Sequence, residues 1–172
     1  WLVESVKKFK EGYTILQPFS HCKHLSPTSN VKEISQEDKA VLNFEEAYPV
    51  KQLAKEKYIW NSASYVYRTN NVFTASQNYD LHGHVGFVWG ATLESLKRQP
   101  LFEKALTGGA DHIIYHATIG QFQEKDILDV YKDNLLEVQA FMRKWFNVHK
   151  GKLTYVEGDL FHLFHGDLVK RD

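Results

Sequence analysis

Leu2, Val3, Val6 and Phe9 recur at the spacing of one helical face, so the first periodic segment predicts a helix over 2–10, stopped at Gly12. Tyr13–Gln17, YTILQ, is a short β-rich run closed by Pro18. From His21 to Asp38 the chain is polar and carries Pro27 and Asn30, which predicts a long surface loop. Ser35–Asp38 reads as a helix start, followed by Ala40, Val41, Phe44 and Ala47 and ended by Pro49. Residues 58–67 and 71–75 mix strand and turn formers without alternation. The apolar run Val85–Trp89, reaching Gly90, predicts a central strand, and a short helix follows from Thr92 to a turn at Gln99-Pro100. Gly108-Gly109 then bends the chain and delivers Asp111 into the first turn of a helix with Ile113, Ile114 and Ala117 inward.

Asp126 opens what the pattern predicts as the longest helix. Ile127, Val130, Tyr131, Leu135, Val138, Phe141, Met142, Trp145 and Phe146 recur at helical spacing, and Lys150-Gly151 supplies a cationic, left-handed stop. Leu153–Val156 and Leu160–Phe164 read as strands joined by a turn at Gly158. The fold class expected from this order is α/β, a mixed sheet flanked by helices, as a single domain over 1–172.

Composition narrows the function classes. Lysine plus arginine balance aspartate plus glutamate at 21 each, so bulk charge argues for no nucleic-acid or membrane-surface partner. No apolar run reaches the roughly 20 residues of a membrane span. A single cysteine, Cys22, forbids an internal disulfide and points to a reducing, cytoplasmic setting. Aromatics make up 14% of the chain, which suits a thick core and also suits binding of sugars or nucleosides.

Several side chains could carry chemistry. A carboxylate at Asp111 favours its helix through the helix dipole. With glycines keeping bulk away, it could equally accept a proton from an attacking hydroxyl. His162 and His165 form an H-x-x-H step, but residues three apart on a strand face opposite sides, so only one can face a given cleft. His165 is favoured, because Gly166 lets the chain turn there. Asp80, His82 and His84 make a D-x-H-x-H cluster that reads as a metal set or as a solvated loop. His21, Cys22 and His24 lack the fourth ligand of a structural zinc site. His112 and His116, one turn apart, read as an exposed helix face. The chain has no phosphate-binding loop, no strand-linked G-x-G-x-x-G and no G-x-S-x-G elbow.

Taken in order, QPFS (Gln17–Ser20), GFVWGAT (Gly86–Thr92), TGGADHIIYHA (Thr107–Ala117) and YVEGDLFHLFHGD (Tyr155–Asp167) resemble the C-terminal, acceptor-side half of GT-A-fold glycosyltransferases of the galactosyltransferase-like kind. The resemblance implies transfer of a sugar from a nucleotide-sugar donor to a glycan or other hydroxyl acceptor, assisted by Mn2+ or Mg2+. It implies Asp111 as the base or acceptor-orienting group, with Gly108 and Gly109 as the glycines of its G-G-x-D element. Trp89 would line the acceptor side, Asp80 and His82 would join the substrate site, and His165 would ligate the metal. The family's D-x-D motif is absent from this sequence. The expectation is therefore the second half of a longer hexosyltransferase, inactive as an isolated chain. Two other readings stand beside it. One is a non-catalytic carbohydrate-binding or assembly module on the same fold, and the other a small metal-dependent hydrolase built on Asp80, His82, His84 and His165.

Overall fold

A computed structural model of the chain describes residues 1–24, 59–70, 82–105, 108–123 and 125–162. They form an α/β structure with small mixed sheets flanked by helices, divided into two compact units. The first unit comprises residues 1–20 and 61–158, the second 21–60 and 159–172.

In the first unit, helix α1 (Leu2–Lys10) leads through a left-handed Gly12 into strand β1 (Ile15–Gln17). β1 is the middle strand of a three-stranded sheet. It pairs antiparallel with β4 (Gly90–Ala91) and parallel with β5 (Leu153–Tyr155), in the register Ile15 to Ala91 and Ile15 to Leu153. All of β1 is buried. Helix α2 (Ala63–Asn70) packs on β5 and β1, its Tyr65 ring edge-on to Tyr155 at 5.1 Å.

Helix α3 (Leu93–Arg98) is capped by Thr92, whose hydroxyl accepts the Ser95 N–H. It ends where Gln99, ahead of Pro100, is forced extended. Helix α4 (Ala110–Ile119) starts from Gly109 at φ 81° and stops on Gly120 at φ 81°. Both are left-handed positions that glycine takes at little cost. α4 lies against helix α6 (Leu135–His149), and this seam holds the core: Ile113, Ala117, Val138, Met142 and Trp145 are fully buried, with Ile15 and Leu153 beneath.

Three expectations need correction. The run Val85–Trp89 is not a strand, and β1 takes the central place. The carbonyls of His84 and Gly86 are taken by the Gln17 side chain. Phe87 leaves the extended region altogether at φ 77°, so only Gly90 and Ala91 reach a ladder. The predicted long helix is broken into α5 (Lys125–Val130), a 3-10 turn over Lys132–Asn134, and α6. Asp133 and Asn134 favour the backbone of a cap over a helix interior, and Asn134 (φ −124°) becomes the N-cap of α6. The apolar spacing runs across the break, but Val130 is left 68% exposed.

The second unit supplies the third correction. His21–His24 is not loop but strand β2, in a sheet ordered β3-β2-β6 with β3 (Ile59–Asn61) and β6 (Asp159–His162). β2 and β6 run parallel, His21 opposite Asp159 and His24 opposite His162. Lys23 Nζ meets Asp159 Oδ2 at 2.6 Å across that ladder. Cys22 is buried, and desolvation pushes its thiol up to about 12, far from a reactive thiolate. The helix expected to start at Ser35–Asp38 and to end at Pro49, and the remainder of the loop read from His21, lie outside the described residues. No helix among the described residues is long and apolar enough to cross a membrane.

Candidate functional site

Asp111 sits in the first turn of α4, as the glycine pair requires, and is half-buried. Its Oδ1 accepts the His112 backbone N–H at 3.0 Å. Its Oδ2 lies against Gly86, 25 residues earlier in the sequence but adjacent in space. A Cβ placed on Gly86 would lie 3.2 Å from Asp111 Oδ2 and 2.8 Å from His84 Cε1. Carboxylate and imidazole thus both close onto the buried Gly86 backbone, at an approach that only a residue without a side chain allows.

The 84–86 segment is held from three sides. The His84 N–H donates to Asn61 O (2.7 Å), and the Ala63 N–H donates to His84 O (3.0 Å). The Gln17 side-chain amide, itself fully buried, donates to His84 O at 3.0 Å and Gly86 O at 3.2 Å. The Gly86 N–H in turn donates to His84 Nδ1 at 3.0 Å. An Nδ1 that accepts carries no proton, so the neutral ring bears its hydrogen on Nε2.

Next along the chain, Phe87 stacks on the His84 ring at 4.3 Å, meets Phe19 edge-on at 6.1 Å, and is 39% exposed. A left-handed phenylalanine is a backbone outlier costing about 1–3 kcal/mol, of the kind that collects at binding sites. On the other side of Asp111, the Tyr131 hydroxyl donates to Gly108 O at 2.9 Å. It also stands 3.3 Å from where a Cβ on Gly109 would be. Burial, and then the negative charge of Asp111, hold Tyr131 above its usual range, so it remains a donor and pins the glycine turn.

The expected substrate residues separate into groups. Gly108 and Gly109 form the turn beside Asp111. Trp89 packs half-buried against the core, its indole N–H donating to Val85 O at 2.8 Å. His82 is buried, its ring about 6 Å from those of His112 (6.1 Å), His116 (6.1 Å) and Tyr115 (6.2 Å). His112 and His116 are accordingly not an exposed helix face: His116 is 1% exposed and its Nδ1 is 2.9 Å from Gln121 Oε1. Asp80 and His165 lie outside the described residues, and His162 closes β6 half-buried. Among the described residues no group of three or more His, Cys, Asp or Glu side chains is placed to hold a metal ion. The described residues therefore do not furnish the cation site that the resemblance implies.

Gln17, Phe87 and Tyr131 were not singled out by sequence reasoning. Only a buried glutamine at the end of an apolar strand hinted at the first, since a buried amide must satisfy four hydrogen-bonding positions somewhere. Compared with known proteins, the chain matches no family model, no curated protein and no solved structure.

Proposed function

We propose that this chain carries the acceptor side of a sugar-transferring site, with the fold of the C-terminal half of a GT-A glycosyltransferase. One observation supports this reading above the others: Asp111 Oδ2 packs against Gly86, so the G-G-x-D element and the GFVWGAT element meet at one point. An acceptor hydroxyl reaching the half-buried Asp111 carboxylate would hydrogen-bond it. As its oxygen attacks the anomeric carbon of a nucleotide-sugar donor, its proton passes to Asp111 and the nucleoside diphosphate leaves with the bonding pair. Tyr131, kept protonated, holds Gly108 and so the turn on which Asp111 is mounted. Dependence on Mn2+ or Mg2+ belongs to the same proposal through His165, and loss of transfer on chelation, restored by added Mn2+, is its expected sign.

The test is Asp111→Asn in the full-length protein, with transfer measured from a panel of nucleotide sugars. Asparagine keeps the shape and can still accept the His112 N–H through Oδ1, so the fold is spared while the base is lost. A loss of about 100-fold in kcat is expected. Turnover equal to wild type would remove Asp111 from the mechanism, and sugar binding without any transfer would favour a binding module instead.

Gly86→Ala probes the same contact from the other side, by pushing on Asp111. The added methyl meets the tip of the His84 ring and the Asp111 carboxylate rather than backbone, so both can give way. A stability cost of about 1 kcal/mol is expected by thermal melting, together with a marked rise in acceptor KM. An unchanged acceptor KM would mean that the acceptor does not bind at Asp111.

A further inference from the structure

We infer that Gln17 is a positioning residue for this site, setting the distance between the 84–86 segment and Asp111; the inference rests on the transfer reading only for its kinetic consequence. The orientation of the amide follows from its neighbours. The Ser64 backbone N–H (2.9 Å) and hydroxyl (3.0 Å) both approach one end, which must be the oxygen. The other end faces the carbonyls of His84 and Gly86, and only an NH2 group can satisfy two acceptors. Gln17 is also the last residue of β1, and its own carbonyl accepts the Val156 N–H at 3.1 Å.

One buried side chain thus ties the middle strand of the sheet, the first turn of α2 and the loop bearing His84 and Gly86 into a single frame. That frame takes the place of the β ladder that residues 85–89 do not form. Without the Gln17 amide, His84 stays tied to Asn61 and Ala63 while Gly86 O loses this donor. The Gly86 end can then shift against Asp111, and displacements near 1 Å at a reacting group cost on the order of 100-fold in rate.

Gln17→Glu tests this directly. The glutamate keeps the shape and both Ser64 bonds, but places an oxygen where the donor stood. While ionised it repels the two carbonyls; once protonated, its O–H donates to one of them. In the full-length protein the Gly86 amide resonance is expected to be displaced from its wild-type position at about pH 8, and to return towards it as the buried carboxyl protonates. Resonances of Val138–Trp145 in α6 should match wild type throughout. The kcat/KM for acceptor should fall on the order of 10- to 100-fold at the higher pH, recover on the same acid limb, and leave the KM for nucleotide sugar unchanged.

A Gly86 resonance that coincides with wild type at every pH would overturn the inference. So would a loss of kcat that never recovers with acid, since that is what general destabilisation produces. If the wild-type enzyme transfers no sugar, the transfer reading fails by itself, and the Gly86 resonance still decides the role of Gln17. Should Gln17→Glu not fold, Ser64→Ala removes one of the two donors that fix the amide oxygen and so loosens the hold of its NH2 on the two carbonyls. A measurable displacement at Gly86 supports the inference, and none overturns it.

Discussion

Trp145→Ala is expected to lower the unfolding free energy by about 3–5 kcal/mol, read as a drop in the urea midpoint at unchanged slope. The indole is fully buried in α6, where it fills the seam with α4, lies 5.6 Å from the Phe141 ring and 4.3 Å from His149. Its N–H donates to Thr118 Oγ1 at 2.8 Å, and that hydroxyl donates onward to Ile114 O at 2.7 Å. Alanine therefore opens the largest cavity available to one substitution in this core and strips the Thr118 hydroxyl of its donor. For a domain whose stability is typically about 5–15 kcal/mol, that is a large share of the reserve. Trp145→Phe separates the two contributions. It keeps most of the ring volume and loses only the hydrogen bond, so about 1–2 kcal/mol is expected. A loss below about 1 kcal/mol for Trp145→Ala would mean that the α4–α6 seam does not carry the core.

The elements legible in the sequence are those fixed by local rules. The helix over 2–10, the Thr92 cap, the Gly109 entry to α4 and the stop at Lys150 each depend on a residue and its immediate neighbours. The misread elements depend on partners far along the chain. Residues 85–89 have the composition of a strand, and nothing local reveals that Gln17, some 70 positions earlier by sequence, takes their carbonyls. The single helix expected over 127–146 is apolar in the right period, and period alone does not register the 3-10 turn over Lys132–Asn134 that interrupts it and leaves Val130 exposed. His21–His24 was hidden for the complementary reason. A polar tetrapeptide becomes a strand when a parallel partner, Asp159–His162, offers Lys23 a carboxylate across the ladder.

The site divides in the same way. Asp111 could be located because two glycines and a helix start advertise a carboxylate on a tight turn. Its neighbours could not, because what brings Gly86 beside it is the Gln17 frame, and what steadies its turn is the Tyr131 hydroxyl on Gly108. Phe87 is the sharper case. An aromatic in an apolar run reads as core, and only its left-handed backbone and partial exposure mark it as part of the site's rim. The sequence is informative about where Asp111 stands on its helix and silent about the buried amide that holds the segment beside it.

Stability is expected to fall by about 3 kcal/mol between pH 7 and pH 4 on account of His149 alone. The ring is fully buried at the end of α6, with Nδ1 2.9 Å from Thr14 Oγ1 and no hydrogen-bond partner for Nε2. Burial disfavours the imidazolium, and the positive charge of Arg98 disfavours it further, so the folded-state pKa drops from 6.5 to about 4. In the unfolded chain His149 titrates near the ordinary value. Between the two values the unfolded state binds more protons, so stability rises with pH across that window and is lost as the solution is acidified. Each unit of separation is worth about 1.4 kcal/mol, which gives the expected total. Carboxylates titrate in the lower part of the same range, so the decisive quantity is the difference from His149→Phe, which keeps an aromatic ring beside Trp145 and cannot take a proton. The variant begins less stable, because Thr14 Oγ1 loses its partner, and the gap to wild type should then close as pH falls from 7 to 4. Parallel stability curves for the two proteins over that range would mean that His149 takes up its proton without leaving the folded state.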